Sequence, residues 1–337
     1  MTDTVFTTRT LALRKHAAPW QVFLALLGAV TVLPFVFVPL VAHVVPEGNP
    51  TLYVYGLLIF ISTNFHVAST GWFLTDREMR AHLAAHPVRY AIAPAAVIAA
   101  CVAGFQLVGR PVSDGIVLVF VGWLLWHYQK QNLGLLSFVA AGTDGAPLSV
   151  WERRALALTG VAGIAGIFSV AQVAPAYLAT EAALLHEAGA AIYLVVPVIA
   201  AIAIVRSPSL RTNGLRLFFF LVGTAFYLPV FIFSDPVSAI TGSATAHGLQ
   251  YLVFMGTVSG SRQKSLRPVF VMIAIATAGA FALNYAAEAP GVLGPALKGL
   301  FIGGVMAHFL VDAGIWRLRE PFQRGYMRRK FYFVFER

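Results

Sequence analysis

Charge is what this sequence has least of. Lys, Arg, Asp and Glu together make up 11% of its 337 residues, against about 25% in an ordinary soluble domain. That is too little to clothe a water-facing surface. With 58% apolar residues and a mean hydropathy of +0.77, the composition predicts an all-α polytopic membrane protein. Cysteine is nearly missing as well. Cys101 stands alone, which excludes an internal disulfide and any thiolate-cluster metal site. No polar stretch exceeds a short loop, so a separate soluble domain is not expected. Negative charge is scarcer than positive, with 14 acidic against 24 basic residues. In a soluble chain that surplus points to nucleic acid; in a membrane protein it collects on the cytoplasmic side, and no nucleic-acid partner is expected.

What is present is a series of apolar runs. Ten are long enough, or nearly so, to cross about 30 Å of hydrocarbon at 1.5 Å per residue: Trp20–Val45, Thr51–Thr75, Tyr90–Gly109, Gly115–Ala141, Ala155–Val173, Ala188–Val205, Leu215–Phe233, Thr245–Gly260, Val269–Ala287 and Pro295–Trp316. About ten transmembrane helices therefore fill residues 20–316. Residues 1–19 read as a cytoplasmic N-terminal tail, and 317–337 as a basic, aromatic cytoplasmic tail, either lying on headgroups, as its composition suits, or packed as a cytoplasmic end. With both termini inside, only Arg110 and Lys298 face outward, as the positive-inside rule requires. Short loops and a basic inner side suit a bacterial plasma membrane. Asp76–His86 reads as a short surface helix stopped by Pro87, and Ala174–Glu187 as an outer segment folded over the bundle.

Histidines mark the even-numbered runs. His66, His127, His186, His247 and His308 are separated by 61, 59, 61 and 61 residues, the spacing of five helical hairpins of uniform length. Counting from the basic ends places His66, His127, His247 and His308 at similar depth in the membrane. His186 and His43 fall near the outer surface, and His16 in the first tail. Asp312 follows His308 by one helical turn, on the same face. Ionisable groups in a span cost about 2.5–3.5 kcal/mol each on insertion scales, so a compensating partner is expected. Neutral imidazole and carboxylate are ligands for iron, zinc or copper. The four histidines and Asp312 are therefore the candidate metal ligands, with Asp312 doubling as a candidate general base. Thr70, Gln131 and Tyr251 each follow a histidine by four residues and are candidates to fix imidazole orientation. His82 and His86, on one face of the surface helix, are candidates for a second metal position.

Other signatures are missing. The chain has no Gly-rich phosphate loop, no GxSxG elbow and no CxxCH haem attachment. It lacks the HxxHH boxes of membrane desaturases and hydroxylases; it is similar to that class only in carrying histidines on membrane helices, and no residue role follows from that. The reading that accounts for most residues is a membrane-embedded metalloenzyme. It would be an oxidoreductase of the oxygenase, hydroxylase or desaturase type, with one or two transition-metal ions, iron favoured. It would act on a lipid-soluble small molecule and draw on a redox partner at the cytoplasmic side. Zinc, copper or a bis-histidine haem for electron transfer are the alternatives in cofactor. A proton-coupled transporter is the alternative in class, since intramembrane His and Asp also mark proton paths, and Pro34, Pro39, Pro197 and Pro229 would kink its helices. Lys130 would snorkel inward or balance Asp312. Trp72, Trp123, Trp126, Tyr128 and Trp316 read as core and interface belt.

Overall fold

Apolar helices dictate the architecture, because in lipid every backbone N–H and C=O must be bonded within its own segment. The computed structural model describes residues 3–44, 56–108, 110–170, 174–260 and 265–335, with side chains in the first helix from 19 to 41. Helices and the short turns between them make up these residues, with no strand among them. In order they form α1 (Asp3–Val44), α2 (Gly56–Leu74), the short α3 (Arg77–Ala85), α4 (Val88–Leu107), α5 (Arg110–Thr143), α6 (Val150–Val170), α7 (Ala176–Arg206), α8 (Gly214–Ala225), α9 (Pro236–Gly260), α10 (Arg267–Glu288), α11 (Gly294–Ile315) and α12 (Pro321–Lys330). Eight of these are long and apolar enough to cross a membrane, α1 through its segment Pro19–Val41. The chain is thus an integral, multi-pass membrane protein.

The two expected passes outside those eight differ for separate reasons. The seventh run is broken: α8 ends at Ala225, and a further turn, Pro229–Ile232, begins at the proline. The eighth, α9, is 25 residues long but rich in Ser, Thr and Gly, with 15 of its residues buried and none exposed. A helix that faces protein on all sides needs little hydropathy.

Close pairing fixes the bundle. α6 packs along α7, α4 along α11, α1 along α9, and α2 against α10. Glycines let backbones approach where these pairs cross. Gly299 and Gly303 of α11 face the backbone of α4 at Cys101 and Ile98, and Gly189 of α7 faces the α6 backbone at Ala162 and Gly166. α2 is irregular: Phe60–Phe65 winds as a π-helix just before His66, and Thr70–Leu74 tightens to 3-10 geometry.

Two segments depart from expectation. Ala174–Glu187 does not fold over the bundle, since Ala179–Arg206 is one continuous helix that carries Glu181, His186 and Glu187. The C-terminal tail departs from its headgroup reading and takes the packed one. Phe331 and Phe333 turn inward onto Phe23, and Phe331 also meets Phe138 and Phe254. Burying those rings against an aromatic core offsets the cost of folding the tail back. The surface helix is present as expected: α3 is capped by Asp76, whose carboxylate accepts the Met79 amide at 3.0 Å, and it ends just before His86 and Pro87.

Candidate metal centre

Four helices each bring one imidazole to the middle of the bundle. The rings form a closed circuit: His66 to His247 is 4.9 Å between centroids, His247 to His127 5.0 Å, His127 to His308 5.4 Å, and His308 to His66 5.1 Å. All four are buried. His66, His127 and His308 each offer a ring nitrogen within 4.8 Å of the other two. Ligands about 2.1 Å from one ion lie at most about 4.2 Å apart, so closing this triad on a metal calls for little movement.

The rings are aimed by their surroundings. The His66 amide bonds to Thr63 O at the end of the π-helical turn, which leaves the Ser62 carbonyl to the His66 Nδ1. A carbonyl can only accept, so Nδ1 carries the proton and Nε2 presents its lone pair. His308 Nδ1 bonds the Thr70 hydroxyl at 2.9 Å, and that hydroxyl bonds Tyr251 at 2.8 Å. His127 stacks on Phe309 at 4.5 Å, and His247 on Tyr128 at 4.1 Å. The Nε2 atoms of His66, His127 and His308, and both nitrogens of His247, have no hydrogen-bond partner among the described residues. An unsatisfied buried polar atom costs about 1–3 kcal/mol. Several around one point constitute a deficit that a cation would relieve, and a buried His triad of this kind could hold a metal ion.

Asp312 stands at the edge of this group. Its Oδ2 is 3.9 Å from His127 Nε2, and its Oδ1 accepts the Trp316 indole N–H at 2.7 Å. It is not one of the three mutually close ligating groups. Lys130 does not pair with it; the ammonium lies over the Trp126 ring at 5.4 Å. Beside His127 and Asp312 opens a cleft of about 500 Å³ whose walls include Trp123, Trp126, Phe309 and Trp316. Three tryptophans expected in the core or interface belt thus line a cavity.

The expected supporting residues are near the site, but each serves a different partner from the histidine it follows. Thr70 holds His308 rather than His66. Gln131 donates to the His247 carbonyl at 2.9 Å and to Gln250 at 2.8 Å rather than to His127. Tyr251 bonds Thr70. Spacing of four places groups on one face of a helix, but a ring in a bundle reaches across to the next helix. His82 and His86 do not join the cluster. His82 stacks on Phe322 at 3.9 Å and meets Gln323 at 3.2 Å, and the two rings sit 4.4 Å apart at the end of the bundle where α12 docks. No third ligating group accompanies them among the described residues. His186 is apart as expected, bonded to Gly166 O at 2.8 Å. The side chains of His16 and His43 lie outside the described residues.

Trp316 and Ser62 belong to the site and were missed by sequence reasoning. Each stands four residues from a site residue, Trp316 after Asp312 and Ser62 before His66. That spacing was the available signal, but an indole near a basic segment reads as a membrane anchor and a serine as filler. No family model, curated protein or solved structure matches this chain, and the geometry of the site carries the functional argument.

Proposed function

We propose that this chain is a membrane-embedded, histidine-ligated metalloenzyme, an oxidoreductase acting on a lipid-soluble substrate. The observation that carries the reading is the ring of four buried imidazoles with unpartnered nitrogens, three of them offering ring nitrogens within 4.8 Å of one another. His66, His127 and His308 would hold one ion. His247 would complete the set or share a second ion with Asp312. Iron is the favoured metal, since an all-nitrogen and oxygen donor set with room for exchangeable positions suits it. The mutual closeness of the triad supports a bare ion over haem, whose macrocycle needs two opposed ligands with a clear plane between them.

The bound metal would supply one-electron chemistry in a site walled off from water. The chain's own residues account for the rest. The Ser62 carbonyl and the Thr70 hydroxyl hold His66 and His308 with Nε2 facing inward. Phe309, Trp123 and Trp126 line the cleft beside His127, so an apolar part of the substrate would lie against the site. Asp312 reaches the cleft with its Trp316-bonded carboxylate, placed to take up or return a proton. Reducing equivalents would come from a partner at the basic end of the bundle, which we assign to the cytoplasm of a bacterial plasma membrane, with both termini on that side.

Metal analysis of the detergent-purified protein tests this. About one iron per chain, lost in His127→Ala and His308→Ala but retained in His186→Ala, is the expected result. A protein that binds no iron, zinc or copper after reconstitution would overturn the metalloenzyme. Proton uptake by such metal-free protein in liposomes would then favour transport.

A further inference from the structure

Lys130 is left unexplained by everything above. It lies three residues beyond His127 within a membrane-spanning helix, where an ammonium is costly. It is exposed to the cleft and pairs with no carboxylate among the described residues; its neighbour is the Trp126 ring. The tendency of basic residues to collect at the inner membrane face does not account for a lysine one turn from the buried histidines.

The cleft gives that charge a direction. His127 meets His247 and His308, while Phe138 and Trp316 both meet Phe254, so α5, α9 and α11 run the same way. The cleft follows them from His127 toward Phe138, Phe254 and, just past the end of α11, Arg319, over about 16 Å, the rise of the eleven residues from His127 to Phe138. Its polar ends are opposite in sign. At the histidine end stands Asp312. Along the way and at the mouth stand Lys130, Arg317 and Arg319. One carboxylate, Glu320, serves both arginines, at 3.8 and 4.0 Å, with Arg319 largely exposed. Surface pairs of this kind are weak, so the mouth keeps surplus positive charge. Between the ends the walls are aromatic.

We propose that the cleft takes an amphiphile with an anionic head and a long apolar chain. The head is held by Lys130 and Arg319, and the chain is laid past His127 toward Trp123 and Phe309. The two cations set the orientation, since Asp312 offers the head no positive charge at the deep end. That this amphiphile is the substrate rests on the proposed metalloenzyme; that it binds does not. The anion could be a free fatty carboxylate or a phospholipid phosphate.

Three of the chain's tryptophans line the cleft, so brominated amphiphiles report directly on occupancy. Full-length protein in a neutral detergent is titrated with dibromostearic acid, its methyl ester and a dibrominated phosphatidic acid, and tryptophan quenching is followed. We expect the acid to quench at roughly tenfold lower concentration than the ester, the scale of a charge-assisted contact. The Lys130→Gln/Arg319→Gln double variant should erase that difference while the variant's metal content stays at the wild-type level. Preference for the stearic acid alone identifies a fatty carboxylate; preference for both anions identifies a general acidic-lipid site. Equal quenching by acid and ester, or a preference that survives in the double variant, overturns the proposal. Metal content separates the two ideas: metal-free protein with the acid preference sinks the enzyme and keeps the site, and metal-loaded protein without it does the reverse.

Discussion

Thr70 is the residue that couples the site to its surroundings. Its hydroxyl bridges the His308 ring and Tyr251, so His308 is held from α2 rather than from its own helix. Partners of this kind, which orient a ligand from behind, typically carry 10–100-fold in metal affinity. Thr70→Val keeps the shape of the side chain and removes the hydroxyl. Chelator competition should then show metal affinity lower by about tenfold, with the fold intact by circular dichroism; unchanged affinity would mean that His308 is not a ligand. Which residues cluster was largely legible in the sequence, because ionisable groups in an apolar run are conspicuous: His66, His127, His247 and His308 form one ring, and Asp312 stands beside His127. Which groups support them was not. Partners across a bundle depend on helix rotation, and apolarity on every side leaves no periodicity from which rotation can be read.

At the scale of the helix, the crossing of α2 and α9 sets the position of His66. Gly248 of α9 lies directly against Ser62, and a Cβ there would collide with the Ser62 backbone. The same Ser62 carbonyl holds the His66 ring. Gly248→Ala must therefore either part the two helices or move the ring. Overpacking of this kind costs about 1–3 kcal/mol. The expected outcome is a lower unfolding midpoint in detergent together with weaker metal binding, whereas Gly256→Ala, which meets no neighbour, should leave both unchanged. Apolar length was enough to anticipate the membrane helices, but the π-helical winding before His66 was invisible: FISTNF carries no proline or glycine to announce it. The start of α9 was missed for a related reason. Its first turns are Ser, Thr and Gly packed against protein, and they look like a loop to any scale that measures transfer into lipid.

Across the whole molecule, the tail locks one end of the bundle. α12 presents Gln323 and Phe322 to His82, and Lys330 donates to Asp76 at 3.1 Å. Arg329 pairs with Glu78. Burial, with the nearby His86 and Arg89 charges, holds the His82 imidazole below its ordinary value. Burial raises the Asp76 carboxyl, but the Met79 amide and Lys330 outweigh it and hold the group below the usual carboxylate range. Both groups therefore bind protons less readily when docked than when free. The stabilisation is complete above the free values and is lost as pH falls. For His82 the loss begins below about 6.5, and for Asp76 only below about 3.9. Measured against the intrinsic base-catalysed rate, hydrogen-exchange protection in residues 321–335 should accordingly fall as pH is lowered from about 7.5 to about 5. His82→Phe, which keeps the stack on Phe322 but cannot titrate, should flatten that dependence; an unaltered pH response in this variant would assign the effect elsewhere.

The nitrogens of the central triad come from positions 66, 127 and 308, the last far along the chain from the first two. During synthesis the first two are inserted long before the last. Until α11 leaves the ribosome the centre has no third wall, so a cation captured earlier would be loosely held and easily exchanged. A triad that holds a metal would therefore be loaded only once α11 is in place, and the choice of metal would fall after its insertion rather than before it.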